Sequence, residues 1–233
     1  MTKINKTYAV SDLHGRYDLY QKIDNMTDAS DTIIYLGDAC DRGPDGWRLV
    51  KALLNNNKWI YLKGNHEDMM VKGMREYLRQ DEGFWDGNDM YLWFSNGGEP
   101  TFDEIIEDDI DREQLEEYLK AIDELPLMIN AQTEDGKIIA LCHAGYSPDR
   151  CFLYEDFKKQ CLWGRNHFND DYEGDIIVVH GHTPVKHISN LLETTAGYCG
   201  MRKYDIDMGA YRSGTAMMLE LETLEEILVQ GDK

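Results

Sequence analysis

The chain has 233 residues, 42% of them hydrophobic, and a formal net charge of -20. That length suits one well-buried α/β domain, and the composition is that of a packed globular protein rather than a disordered or fibrous one. No apolar run approaches membrane-spanning length, and 44 acidic residues against 24 basic ones repel nucleic-acid phosphates and anionic lipid, so neither is an expected partner.

From Met1 the chain is polar as far as Thr7, which leaves no room for the apolar region of a secretion signal and makes a cytoplasmic location the expectation. Short apolar runs then alternate with amphipathic segments in βαβαβ order. Tyr8-Ala9-Val10, Ile33 to Leu36 and Trp59 to Leu62 read as buried parallel strands, with helices over Tyr17 to Met26 and Asp45 to Leu54 and Pro44 where a helix commonly opens. After Glu67 the chain reads as helical and acidic. The expected organisation is one domain over residues 1–233 with a mainly helical insertion at about 81–126, in which the acidic run Asp103 to Glu117 is a solvated helix face.

In the second half Leu127 to Ala131 and Lys137 to Leu141 flank the turn signal Glu134-Asp135-Gly136. Strand-like runs recur at Ile176 to Val179, Val185 to Ile188, Tyr204 to Met208, Ala216 to Leu221 and Ile227 to Val229, and read as mostly antiparallel. The five cysteines, Cys40, Cys142, Cys151, Cys161 and Cys199, form no C-x-x-C pair and are odd in number, so reduced thiols are expected.

The polar residues with chemical potential follow these strands, where an open α/β sheet places its crevice. Asp12 and His14 follow the first strand, Asp38 and Asp41 the second, and Asn65, His66 and Glu67 the third; His143 follows Leu141, and His180 and His182 follow the run ending at Val179. A lone Asp-x-His-Gly is weak evidence, since Asp and Gly also make turns. Five such clusters, each after a strand, form a stronger pattern. Asp12, His14, Asp38, Asn65, His143 and one of His180 or His182 could hold two divalent ions if one carboxylate bridges. Mixed carboxylate and imidazole ligands suit Mn, Fe or Zn rather than Mg or Ca. His167 and His187 fit no cluster and are read as structural, and Trp93, Phe94 and Met69-Met70 as core.

Ser11-Asp12-Leu13-His14-Gly15, Gly37 to Gly43, Gly64 to Glu67, Cys142 to Gly145 and Gly181-His182-Thr183-Pro184 resemble the signature blocks of the phosphoprotein phosphatase family of calcineurin-like metallophosphoesterases. The bacterial and phage serine/threonine phosphatases of the lambda type are the most similar branch, and Trp93 to Thr101 resembles a further segment of it. Ser11 departs from the Gly usual before the Asp. The resemblance implies an α/β sandwich of two mixed β-sheets flanked by helices. It also implies that Asp12, His14 and Asp38 hold one metal while Asp38, Asn65, His143 and His182 hold the other, with Mn²⁺ first among the candidate ions and Fe or Zn as alternatives. His182 is then the ligand and His180 a supporting or structural residue.

By the same resemblance Arg42 and Arg165 bind the phosphate together with Asn65, and His66, oriented by Asp41, protonates the leaving alkoxide. Water is the nucleophile, which agrees with the absence of a Cys-x5-Arg or Asp-x-Asp motif. The expected activity is hydrolysis of phosphoserine or phosphothreonine in a protein or peptide, with small phosphoesters as possible further substrates. The alternative is a bis(5'-nucleosyl)-tetraphosphatase, whose relatives tend to lose the Asp of Asp-Arg-Gly or to carry Asp in place of Glu67. A metal-binding scaffold without turnover is disfavoured because all six ligands and both arginines are present.

Overall fold

The computed structural model describes residues 5–80, 86–146, 154–165, 175–188, 197–198 and 202–232. Cys151, Cys199 and His167 lie outside the described residues.

Alternation along the first strand organises the molecule. In β1 (Thr7–Val10) Tyr8 and Val10 face one side and Ala9 the other; β2 (Thr32–Tyr35) repeats this with Ile33 and Tyr35 opposite Ile34. Tyr8, Val10, Ile33 and Tyr35 join α1 (Tyr17–Met26), α2 (Gly46–Leu54) and α3 (Asn65–Leu78) in one core through Leu19, Ile23, Trp47, Leu49, Val50 and Met70. Ala9, Ile34 and Leu36 join a second core with Ile139, Leu141, Ile177 and Val179. Two apolar faces on one sheet require cover on both sides, by helices here and by a second sheet there.

The first sheet runs β10-β9-β1-β2-β3, with β3 spanning Trp59–Tyr61, β9 Thr215–Glu220 and β10 Glu226–Gln230; β1, β2 and β3 are parallel and β9 pairs antiparallel with β1 and β10. The second runs β4-β5-β6-β8-β7, from β4 (Met128–Gln132), β5 (Ile138–Cys142), β6 (Ile177–His180), β7 (Gly197–Tyr198) and β8 (Lys203–Asp205). This is the expected α/β sandwich of two mixed sheets. Helices α4 (Asn88–Ser95), α5 (Glu99–Glu107) and α6 (Arg112–Asp123) fill most of the acidic middle and lie against α3 and α2. No helix among the described residues is long and apolar enough to cross a membrane.

One sequence expectation is corrected. Val185–Ile188 is a short helix, α8, not a strand. Pro184 fixes a φ suited to a helix start, and its carbonyl accepts the His187 N–H at 2.7 Å, so local geometry overrides the β-branched run. Among the described residues most pairings made by the strands of the second half are antiparallel, as expected, while within the second sheet β6 pairs parallel with both β5 and β8. Those strands are joined by long crossovers, one containing α7 (Tyr154–Trp163), and crossover connections return strands in the same direction.

Candidate active site

Parallel strands send their carboxyl ends to one edge, and both sheets do so here. The loops after β1, β2 and β3 meet those after β5 and β6, which brings Asp12, His14, Asp38, Asn65, His143 and His182 into one buried cluster.

The loops are held in conformations that side chains ordinarily avoid. Asp12, His14, Asp38, Asp41, Arg42 and His182 all have positive φ, between 44° and 74°. Left-handed backbone costs a non-glycine residue roughly 1–2 kcal/mol, so its concentration on these loops is strain that the surrounding contacts must hold. Glycine makes room for the carboxylates: a Cβ on Gly181 would strike the Asp12 carboxylate, and one on Gly64 the Asp38 carboxylate. Glycine here lets the backbone approach the acids closely.

Each side chain is aimed by a second contact. The Asp12 Oδ2 accepts the His182 N–H at 2.9 Å and the Ser11 hydroxyl, so the departure from Gly at position 11 adds a donor to that carboxylate. The His14 Nδ1–H donates to the Cys40 carbonyl at 2.8 Å and the His143 Nδ1–H to the Leu36 carbonyl at 2.9 Å, which turns both Nε2 atoms inward. His14 Nε2 lies 3.5 Å from Asp38 Oδ2, and His143 Nε2 lies 3.4 Å from Asp38 Oδ1. The Asn65 Oδ1 sits 2.8 Å from His143 Nε2 and 2.9 Å from His182 Nδ1.

Asp38 thus stands between two groups whose donor atoms lie within 4.8 Å of one another, His14, Asp38 and His66 in one and Asp38, His143 and His182 in the other. Two buried atoms in the cluster, Asp12 Oδ1 and His182 Nε2, have no hydrogen-bond partner, as metal-ligating atoms would not. Burial pushes the Asp38 carboxyl well up, reinforced by Asp12 and Glu67 and only partly offset by Arg42. Burial also holds His14, His143 and His182 below their usual range and therefore neutral, the form in which imidazole binds a metal. The residues fit divalent metal ions. Carboxylate, amide and imidazole donors leave the identity of the metal open.

Asp41, Arg42 and His66 lie beside this cluster. The His66 Nδ1 is 2.6 Å from Asp41 Oδ2, and the Arg42 guanidinium reaches His14 Nε2 and His66 Nε2, each at 2.7 Å. Arg165 is exposed at the rim, where its Nε–H donates to the Thr183 hydroxyl at 3.2 Å. Its charge is the third influence, after burial and His143, that lowers His182. His180 is buried at the end of β6, held by burial at about 4, and His187 is exposed on α8.

Sequence reasoning missed three supports. Glu67 takes the N–H groups of Asp38, Ala39 and Gly64 and the Tyr61 hydroxyl; its place three residues after Gly64, at the start of α3, is a capping signal that the sequence did carry. Trp93 is core, as expected, and its Nε1–H also donates to both Asp41 oxygens, at 2.9 and 3.0 Å. The Thr101 hydroxyl accepts the Asp41 N–H at 2.7 Å. Trp93 and Thr101 bound a segment that carries the family resemblance, but no local pattern announces their contacts with Asp41, 52 and 60 residues away.

A sandwich of two mixed sheets with a buried cluster of acids and imidazoles at one edge is the architecture of a metallophosphoesterase. The family model for calcineurin-like phosphoesterases matches residues 6–198, and the chain belongs to that family. Among curated relatives it is 29% identical to serine/threonine-protein phosphatase 2 of Escherichia coli over 179 residues, 75% of this chain and 74% of that one. It is 26% identical to the asymmetrical bis(5'-nucleosyl)-tetraphosphatase PrpE of Anoxybacillus flavithermus over 216 residues, 84% of this chain and 78% of that one. A crystal structure of a proposed diadenosine tetraphosphatase superposes with a TM-score of 0.61 at 17% identity, covering 100% of this chain and 96% of the other, and shares the fold.

Proposed function

We propose that this phosphoesterase is a serine/threonine protein phosphatase that hydrolyses phosphoserine and phosphothreonine with water. The observation that carries this reading is the 2.6 Å contact between Asp41 and His66. An alkoxide is a poor leaving group and needs a proton as the bond to phosphorus breaks, whereas a phosphoanhydride releases a phosphate that leaves readily without one. A buried imidazole tied to a carboxylate, its other nitrogen facing the site, is the device an alkyl ester requires. The serine/threonine phosphatase among the relatives supports the same choice.

Divalent ions, when bound, would polarise water and offset phosphoryl charge. Asp12, His14 and Asp38 would hold one and Asp38, Asn65, His143 and His182 the other, with Mn²⁺ the first candidate and Fe or Zn the alternatives. Arg42, Arg165 and Asn65 would bind phosphoryl oxygens, the two guanidinium groups through paired N–H donors. His66 would give its Nε2 proton to the leaving oxygen while Asp41 holds the ring.

The dinucleoside polyphosphate reading is kept alive by the PrpE relatives. Charge separates the two. Even four positive charges from two divalent ions leave the chain, at a formal -20, strongly negative, so long-range repulsion penalises polyanions. With Mn²⁺ supplied at low ionic strength, phosphopeptides flanked by Lys or Arg should have a higher kcat/KM than those flanked by Asp or Glu, and the gap should narrow as salt is added. Diadenosine tetraphosphate should be poorer than the basic peptides. A dinucleotide preference of tenfold or more, about 1.4 kcal/mol in transition-state binding, would replace the phosphatase reading with the dinucleotide one.

A further inference from the structure

The residue that neither the motifs nor the metal cluster uses is Tyr211. It sits on α9 (Ala210–Ser213), a single turn bounded by Gly209 and Gly214, both left-handed. Each end of the turn is tied down. The Gly209 N–H donates to the Asp207 carboxylate at 2.7 Å, the Ala210 carbonyl accepts from the Arg16 guanidinium at 3.2 Å, and the Gly214 carbonyl accepts the Gly231 N–H at 2.7 Å. Arg16 is itself fixed by paired contacts of 2.8 and 2.7 Å to Asp18. The half-buried Tyr211 ring is therefore presented by a braced loop.

That ring meets the site at two points. Its centroid is 5.7 Å from that of His14 at an interplanar angle of 75°, and the Arg42 Cζ lies 5.2 Å from it. A second guanidinium, on the exposed Arg212, lies 5.1 Å from the same centroid, so the ring gathers two cations at the rim of a chain that is otherwise acidic. An aromatic ring attracts a cation through its quadrupole without engaging any N–H donor. This distinguishes it from the two imidazole nitrogens, which take Arg42 N–H groups that a phosphate would also want.

We propose that Tyr211 is a positioning residue for Arg42: its ring holds the guanidinium over the site while the N–H donors turn from the imidazoles to phosphoryl oxygens. This rests on Arg42 as a phosphate-binding arginine. Without the ring, Arg42, an exposed side chain on a long stem, would lose its remaining anchor once its N–H groups leave the imidazoles, and the phosphate would have to order it, which weakens binding.

The test is a double-mutant cycle on Arg42 and Tyr211, read by calorimetric titration of inorganic phosphate into the Mn²⁺-loaded protein, with metal content measured for each variant. Tyr211→Ala should weaken phosphate binding roughly tenfold with metal content unchanged, and Tyr211→Phe, which keeps the ring, should recover most of it. In an Arg42→Ala background Tyr211→Ala should have no further effect. With p-nitrophenyl phosphate the Tyr211→Ala loss should fall on KM more than on kcat. An equal loss in both backgrounds, or a loss of metal in place of phosphate affinity, overturns the proposal. Phosphate binding that survives Arg42→Ala intact overturns the Arg42 assignment and this inference with it. Binding weakened by Arg42→Ala but untouched by Tyr211→Ala overturns the inference alone.

Discussion

The Glu67 carboxylate spans the backbone of Asp38 and Ala39, taking the Asp38 N–H at 2.8 Å on one oxygen and the Ala39 N–H at 2.7 Å on the other. The same two oxygens accept from the Gly64 N–H and the Tyr61 hydroxyl, and Glu67 is fully buried. Asp38 has a left-handed φ of 61°, so Glu67 is the group that holds the strained loop in place.

Replacing Glu67 by Gln puts an NH2 group against N–H donors that need an acceptor. Glu67→Gln should destabilise the fold by roughly 2–3 kcal/mol, since a buried donor left without its partner keeps its full desolvation penalty. A thermal melt should show a fall of about 2–4 °C per kcal/mol in a chain of this size. An unchanged melting temperature would show that the loop keeps its shape without the carboxylate.

Asp38→Asn retains an oxygen for the His66 N–H, now accepted at 3.0 Å, but removes the charge that both groups of donors share. Metal content should fall and turnover should drop by more than ~10²-fold, because even residues that merely orient ligands cost about 10–100-fold. In the unaltered chain a chelator should abolish activity and lower the melting temperature, with both restored by Mn²⁺, since an ion that binds only the folded state stabilises it. Two metals and near-normal activity in Asp38→Asn would remove Asp38 from the bridging position.

His66→Asn tests the proton donor proposed above. The loss should approach the ~10²–10⁴-fold expected of general acid catalysis for alkyl phosphates, and should be much smaller for aryl esters whose leaving groups need no proton. Equal losses for both classes would leave His66 as an electrostatic or structural residue.

The Arg16–Asp18 pair, which braces the Tyr211 loop, gives a pH signature away from the metal cluster. Paired hydrogen bonds from Arg16 hold the Asp18 carboxyl at about 2, down from an ordinary 3.8. Its stabilisation is therefore complete above the unfolded value and disappears as pH falls through the folded one. Asp18→Asn should cost about 1 kcal/mol at neutral pH, a figure limited by the partial exposure of the pair. In urea titrations the difference from the unaltered chain should close between about pH 4 and about pH 2. A constant difference over that interval would mean that Asp18 acts by shape rather than charge.

Local rules wrote the first half of this protein plainly. Tyr8-Ala9-Val10 and Ile33 to Leu36 could only be buried strands, and Asp12, His14, Asp38 and Asn65 were placed because each follows such a strand within a few residues of chain. Candidate metal-ligand chemistry is legible at that range, since residue type and the step from strand to loop carry it, while the sandwich and the family followed from the resemblance of the signature blocks. Val185 to Ile188 shows where the local reading fails: β-branched composition pointed to a strand, and the proline before it decided for a helix. The direction of β6 was likewise set by its crossovers rather than its composition. Only the tertiary structure could bring Trp93 and Thr101 to Asp41, or Tyr211 to Arg42, because those contacts join segments with no periodic relation to one another. The positive φ of Asp12, Asp38, Asp41, Arg42 and His182 belongs to the same class. Aspartate visits that region more readily than most residues but still at a cost, and so many such residues persist together here because Glu67, Tyr35 and the crossing loops supply hydrogen bonds to these loops.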